Sequence, residues 1–247
     1  MIRETGRVWS GAVITPRDGQ MFIGITGRWR VPAVTLPSSA GDTAEGERVC
    51  SSSTWIGLDG TRKYVHSSLP QIGTIQNVIV RNDQMEPEYF AFYEWWRAGV
   101  IGKPISIDQV KVRPGDLIEC TLTVDTFTHV TFEMTNKTTG STSGEISASA
   151  PAPLLISGAT AEWITERPSD PKTDKPYELA NYGRVVFENC IATVAPEPGS
   201  GSTTDRTMGD DGVTLRDMVQ IRQNRAVRIS IAELQGPQSV ATFYAGE

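Results

Sequence analysis

What most constrains this chain is a rhythm of two. Ile23, Ile25, Gly27, Trp29 and Val31 alternate with Gly24, Thr26, Arg28 and Arg30. One mostly apolar and one polar face at that period mark a half-buried β-strand, and Pro32 closes it. Runs of strand character recur at 9–14, 50–57, 71–80, 117–124, 129–135, 183–194, 227–231 and 240–244. Turn residues such as Pro16-Arg17-Asp18-Gly19, Leu58-Asp59-Gly60-Thr61 and Arg113-Pro114-Gly115-Asp116 separate them. Residues 89–96 are long enough for a helix, but their aromatic content favours a strand. Helix character is confined to one weak capping box, Thr214-x-x-Asp217, so at most one short helix is expected near 214–222. Residues 33–47, 147–157, 167–176 and 196–212 read as loops, the last glycine- and serine-rich and expected to be mobile. Many short strands joined by turns predict an all-β sandwich of two antiparallel sheets, with residues 1–247 forming a single domain.

Composition narrows the function classes. Hydrophobic residues make up 38% of 247, with six Trp, six Tyr and seven Phe, enough to build a core. A net charge of −6 and a pI of about 5.1 argue against nucleic acid or an anionic membrane as partner, since both need a basic surface. No apolar run approaches the roughly 18 residues of a membrane helix. Met1-Ile2-Arg3-Glu4 does not open a signal peptide, so a cytoplasmic protein or a mature chain is expected. Cys50, Cys120 and Cys190 are far apart, form no metal-type pair and allow at most one internal disulfide. No metal or organic cofactor is indicated, and a monomer is expected.

The chemistry is placed on Thr160-Ala161-Glu162-Trp163-Ile164-Thr165-Glu166. Side chains of a strand alternate between faces, so Glu162, Ile164 and Glu166 share one. Such a face is either wet or a site. The two carboxylates lie about 13 Å apart at Cα, too far for the 5–5.5 Å of a retaining glycosidase pair. Glu162 is read as structural or close to substrate. His66 and His129 have no serine or cysteine nucleophile motif beside them, which makes serine or cysteine catalysis a poor fit. Asn136-Lys137-Thr138 matches the glycosylation pattern.

Four separated segments carry a family resemblance. They are Val8-Trp9-Ser10-Gly11-Ala12 with Gly27-Arg28-Trp29-Arg30-Val31-Pro32, and Thr54-Trp55-Ile56-Gly57-Leu58-Asp59-Gly60 with Gln71-Ile72-Gly73. The others are Tyr89-Phe90-Ala91-Phe92-Tyr93-Glu94-Trp95, and Ala161 to Glu166 with Tyr182-Gly183-Arg184-Val185-Val186-Phe187. In this order the chain resembles the glutamic peptidases, or eqolisins, over nearly its whole length. The resemblance implies two large, strongly curved antiparallel sheets of concanavalin A-like form, with a polypeptide substrate lying across the concave face. It implies acid endopeptidase activity, secretion, and a catalytic pair at Gln71 and Glu166. Trp55, Asp59 and Glu94 match positions near the site. Glu166 would take a proton from water and return it to the leaving nitrogen. Gln71 would donate an uncharged N–H to the developing oxyanion. With an unperturbed base, activity should fade as pH falls through about 4.

The chain also departs from the family pattern. Phe90 stands where fungal members carry an aspartate, Phe92 replaces a tryptophan, and Ile75 stands where an acid is expected. Those changes make the groove less acidic and imply a member less adapted to strong acid. The alternative is a non-catalytic lectin-like module, because this sandwich is shared with sugar-binding proteins and fold does not fix function.

Overall fold

The computed structural model describes residues 1–38, 47–61, 68–82, 84–97 and 103–246. Among them the backbone forms eighteen strands and no helix. The strands divide into two layers. The first runs, in spatial order, β1 (Ile2–Gly6), β16 (Val213–Arg222), β2 (Trp9–Ile14), β12 (Ala161–Glu166), β4 (Arg48–Leu58), β5 (Ser68–Arg81), β6 (Gln84–Arg97) and β7 (Ile105–Ser106). β13 (Glu178–Leu179) continues the line of β12 along β4.

The second layer runs β17 (Arg225–Gly236), β18 (Ser239–Tyr244), β14 (Arg184–Ala195), β3 (Met21–Arg30), β8 (Leu117–Thr126) and β9 (His129–Asn136). β10 (Ser141–Thr142) and β11 (Ile146–Ser149) pair with β9, and β15 (Thr204–Arg206) pairs with β14. β16 joins the layers. Val213 to Arg216 pairs with β2, and Met218 to Arg222 pairs with β17.

Alternation places the core. Cys50, Ile56, Leu58, Ile72 and Val78 of β4 and β5 meet Phe22, Trp29, Leu122, Phe132 and Phe187 of the second layer. Two fully buried indoles of the core find acceptors: Trp29 Nε1 donates to Thr74 Oγ1 at 3.2 Å and Trp163 Nε1 to the Thr26 carbonyl at 2.9 Å. Residues of the opposite parity form a second cluster on the outer face of the first layer. It holds Val13, Trp55, Leu69, Ile75, Phe92 and Ile164, with Trp9, Phe90 and Trp96 packed on it.

Gly73 lies beneath that cluster, opposite Trp55. A Cβ there would stand 2.7 Å from Trp55 Cα and closer still to the Thr54 carbonyl. Backbone atoms cannot swing aside. Gly73→Ala is therefore expected to lower the urea midpoint by an amount worth about 3 kcal/mol or more, and an unchanged midpoint would contradict this packing.

Several local expectations change. Residues 213–222 are a strand, not a helix. Leu215 enters the core opposite Ala12 while Thr214 and Arg216 take the other face, and that pairing overrides the capping-box signal. Residues 147–149 and 204–206, placed in loops from sequence, belong to edge strands Ile146–Ser149 and Thr204–Arg206. Two ladders, β1–β16 and β13–β4, are parallel. The three cysteines are free and buried, so none forms a disulfide. Asn136 is buried, and its Nδ2 donates to the Lys111 carbonyl at 3.0 Å and to Asp116 Oδ2 at 2.9 Å. The sequon nitrogen is thus committed inside the fold. His129 is exposed beside Thr126 and Thr128, and His66 lies outside the described residues.

Candidate active site

β12 lies between β2 and β4, deep inside the first layer. Its register sets three rows across the outer face. Trp9, Glu166, Ser53, Ile75 and Phe90 form one row; Gly11, Ile164, Trp55, Gly73 and Phe92 form the next; Val13, Glu162, Gly57, Gln71 and Glu94 form the third. All five residues expected at the site from sequence except Asp59 fall on this face.

Two indoles hold Glu166. Trp9 Nε1 donates to Oε1 at 3.1 Å and Trp55 Nε1 to Oε2 at 2.8 Å. The rings meet edge to face, 5.1 Å apart at 77°. Each carboxylate oxygen takes one N–H and keeps a lone pair for another donor, such as a water. Burial pushes the Glu166 carboxyl up to about 7. The two indole bonds pull the other way, and the charge of Glu94 adds to the rise. The expectation of a base near 4 is corrected accordingly: removing the carboxylate from bulk water outweighs two neutral donors.

Gln71 is buried, and its Nε2 donates to Glu94 Oε2 at 3.1 Å. Gln71 Oε1 and Glu94 Oε1 are buried without hydrogen-bond partners. Burial raises Glu94 to about 7 as well, opposed by the Gln71 bond. Gln71 and Glu166 do not hydrogen-bond each other. They face Gly57 and Ser53, four residues apart on β4, an offset of about 13 Å at Cα. Side chains lean along a strand, and Trp55 reaches Glu166 from the intervening row. Glu94, bonded to Gln71, is near enough for its charge to act on Glu166. One neighbourhood thus contains an amide, two carboxyls of raised pKa and two indole donors.

Asp59 sits elsewhere. It occupies a left-handed turn, φ 66°, at the end of β4. Its carboxylate accepts from the Ser157 amide and hydroxyl, both at 2.7 Å, from the Gly158 amide at 3.2 Å and from the Ala159 amide at 2.7 Å. It therefore anchors the segment that delivers β12. Glu162 is fully buried, both its oxygens lack partners, and burial holds its carboxyl well above the usual range. A group so enclosed cannot touch a substrate, which removes the glycosidase pairing.

Sequence reading did not assign Trp9 to the site. Its signal was present in the Trp-Ser-Gly run, but only pairing with β12 shows which carboxylate the indole meets.

The family model of the peptidase A4 family matches residues 7–242. The chain belongs to that family, and it is a hydrolase of the glutamic endopeptidase class. Scytalido-glutamic peptidase, solved with a peptide-based transition state analog, superposes with a TM-score of 0.66 at 20% identity, covering 97% of this chain and 98% of that one. SCP-B, a member of the eqolisin family solved with the tripeptide Ala-Ile-His, gives 0.65 at 20% identity with the same coverage. Aspergilloglutamic peptidase from Aspergillus niger gives 0.60 at 22% identity, covering 79% of this chain and 99% of that one. At these identities the likeness speaks for the sandwich fold. Comparison with curated proteins gave no match.

Proposed function

We propose that the protein is a single-domain, secreted endopeptidase in which Glu166 activates the hydrolytic water and Gln71 stabilises the oxyanion. The observation that carries this reading is the Glu166 carboxylate, desolvated, gripped by Trp9 and Trp55, and still retaining acceptor capacity on both oxygens. A base of raised pKa takes the proton of a bound water more readily than a solvated glutamate does. Having taken it, the Glu166 carboxyl returns that proton to the departing amine nitrogen. Gln71 has two N–H bonds. Glu94 accepts one and thereby fixes which way the amide points, leaving the second for the carbonyl oxygen of the substrate. The binding of peptide-like molecules by the solved relatives supports a polypeptide substrate, and the acidic pI supports a partner other than nucleic acid or membrane.

The pH range follows from the same burial. As pH falls below about 7 the folded carboxyl of Glu166 becomes protonated and its capacity to act as base declines. Glu94 is also raised to about 7 by burial, and its charge adds to the rise at Glu166. The activity is therefore placed at weakly acidic to neutral pH, above the strong-acid range. Casein and an internally quenched peptide, assayed from pH 3 to 9, should give kcat/KM that falls about tenfold per unit below the limb near pH 7. Internal cleavage should appear in the product masses. Trp55→Phe removes one donor to the ionised form, so the limb should move upward by roughly one unit. Absence of cleavage at every pH would overturn the reading.

A further inference from the structure

Arg216 is a residue of the outer face that the catalytic reading does not use. It stands opposite Gly11 in the β16–β2 ladder, in the same row as Ile164 and Trp55. The guanidinium lies over the Trp9 ring, 5.6 Å from its centroid. Trp9 is one of the two indoles that donate to Glu166. The cation is thus one indole away from the carboxylate.

Its charge is barely matched. Among the described residues its one ion-pair partner is Glu4, at 3.4 Å and itself 41% exposed. Pairs of this kind are weak and easily exchanged. Arg216 Nε is buried and has no hydrogen-bond partner among the described residues. Glu162, whose carboxyl feels the cation, is fully buried and makes no ion pair with Arg216 among the described residues; burial raises its pKa. A planar, permanently charged fork set on an aromatic plate suits a carboxylate.

We propose that Arg216 is a specificity residue that binds an aspartate or glutamate side chain of the substrate polypeptide on the Trp9 side of Glu166. This rests on the peptidase reading given above. An extended chain advances about 3.3 Å per residue, so the acidic residue falls within about three positions of the cleaved bond. At the near-neutral pH where the site works, substrate carboxylates are ionised. An enzyme working in strong acid would meet them neutral, and an arginine there would have nothing to pair with.

The test uses amidated, acetylated peptides, which carry no terminal carboxylate. Glu and Gln are placed in turn at each of three positions on either side of the cleaved bond. The readout is the Glu-to-Gln ratio of kcat/KM within each enzyme, so a general loss of activity cancels. The parent should prefer Glu about tenfold at one or two positions on one side, the size expected of a partly exposed charge-assisted pair. Arg216→Gln should bring that ratio to one, Arg216→Lys should keep part of it, and Arg216→Glu should invert it. A parent without preference, or an Arg216→Gln variant that retains it, overturns the assignment. The same peptides are also titrated by equilibrium binding against Glu166→Gln and Glu166→Gln/Arg216→Gln. Preserved Glu discrimination there without cleavage by the parent would sink the peptidase reading and leave the Arg216 site standing; equal affinities would sink the site.

Discussion

Glu166→Gln is expected to lower kcat/KM for peptide hydrolysis by about 10²–10⁴-fold while raising thermal stability at pH 7.5. The two effects have one origin. The Glu166 carboxyl titrates near 7 in the folded protein against an ordinary 4.5, because burial disfavours its charged form. A folded pKa raised above the unfolded one means that the native state binds the extra proton. Stability is then highest below about 4.5, falls as pH rises from 4.5 to 7, and stays reduced above 7. The loss for this carboxyl is about 3 kcal/mol. Glutamine carries no charge to desolvate. It keeps the shape, but its NH₂ faces one of the two indole donors, and that lost bond costs about 1 kcal/mol. The net gain of about 2 kcal/mol corresponds to a rise in Tm of roughly 4–8 °C at pH 7.5. At pH 4.5 the sign should reverse, with the variant slightly the less stable. Melting curves at the two pH values, run beside the peptide assay, check this. An unimportant surface glutamate would move neither quantity, and a purely structural one would lower Tm at both pH values.

Gln71→Ala should lower kcat by about 10²–10³-fold with little change in KM, the signature of an oxyanion donor used in the transition state. The side chain is buried and bonded to Glu94, so a second consequence is separable from the first. Glu94 loses the hydrogen bond that lowers its pKa, and its protonation moves further above 7. With Glu94 neutral to higher pH, the negative charge that raises Glu166 weakens, so the low-pH limb of the residual activity should shift downward. A variant in which KM rises and kcat holds would place Gln71 in ground-state binding instead.

How much of this was legible beforehand differs by residue. Alternation in 23–31 and in 160–166 placed strands β3 and β12 and put Glu162 and Glu166 on one face, because a period of two is a local property of the chain. The strand at 213–222 was hidden. Its Thr214 and Asp217 match a helix start, and only the partners supplied by β1 and β2, some 200 residues away in sequence, decide in favour of a ladder. Trp55 and Glu94 read as neighbours of the site, and both bond directly to the proposed catalytic pair. Asp59 read the same way but tethers the chain entering β12. The pKa of Glu166 was beyond sequence reading, since desolvation depends on what packs around a carboxyl and not on its neighbours along the chain. Trp9 and Arg216 show the same limit. Their relation to Glu166 exists only once β2, β12 and β16 lie side by side.

The central claim is that Glu166 and Gln71 act on one reacting centre, although their strands hold them four rungs apart. A double-mutant cycle in kcat/KM tests it most directly, with Glu166→Gln, Gln71→Ala and the two combined. Residues serving one transition state are strongly non-additive, so the double variant should be no slower than the slower single within about threefold. Losses that multiply, each substitution costing its full factor in the presence of the other, would show two independent roles and contradict the shared centre.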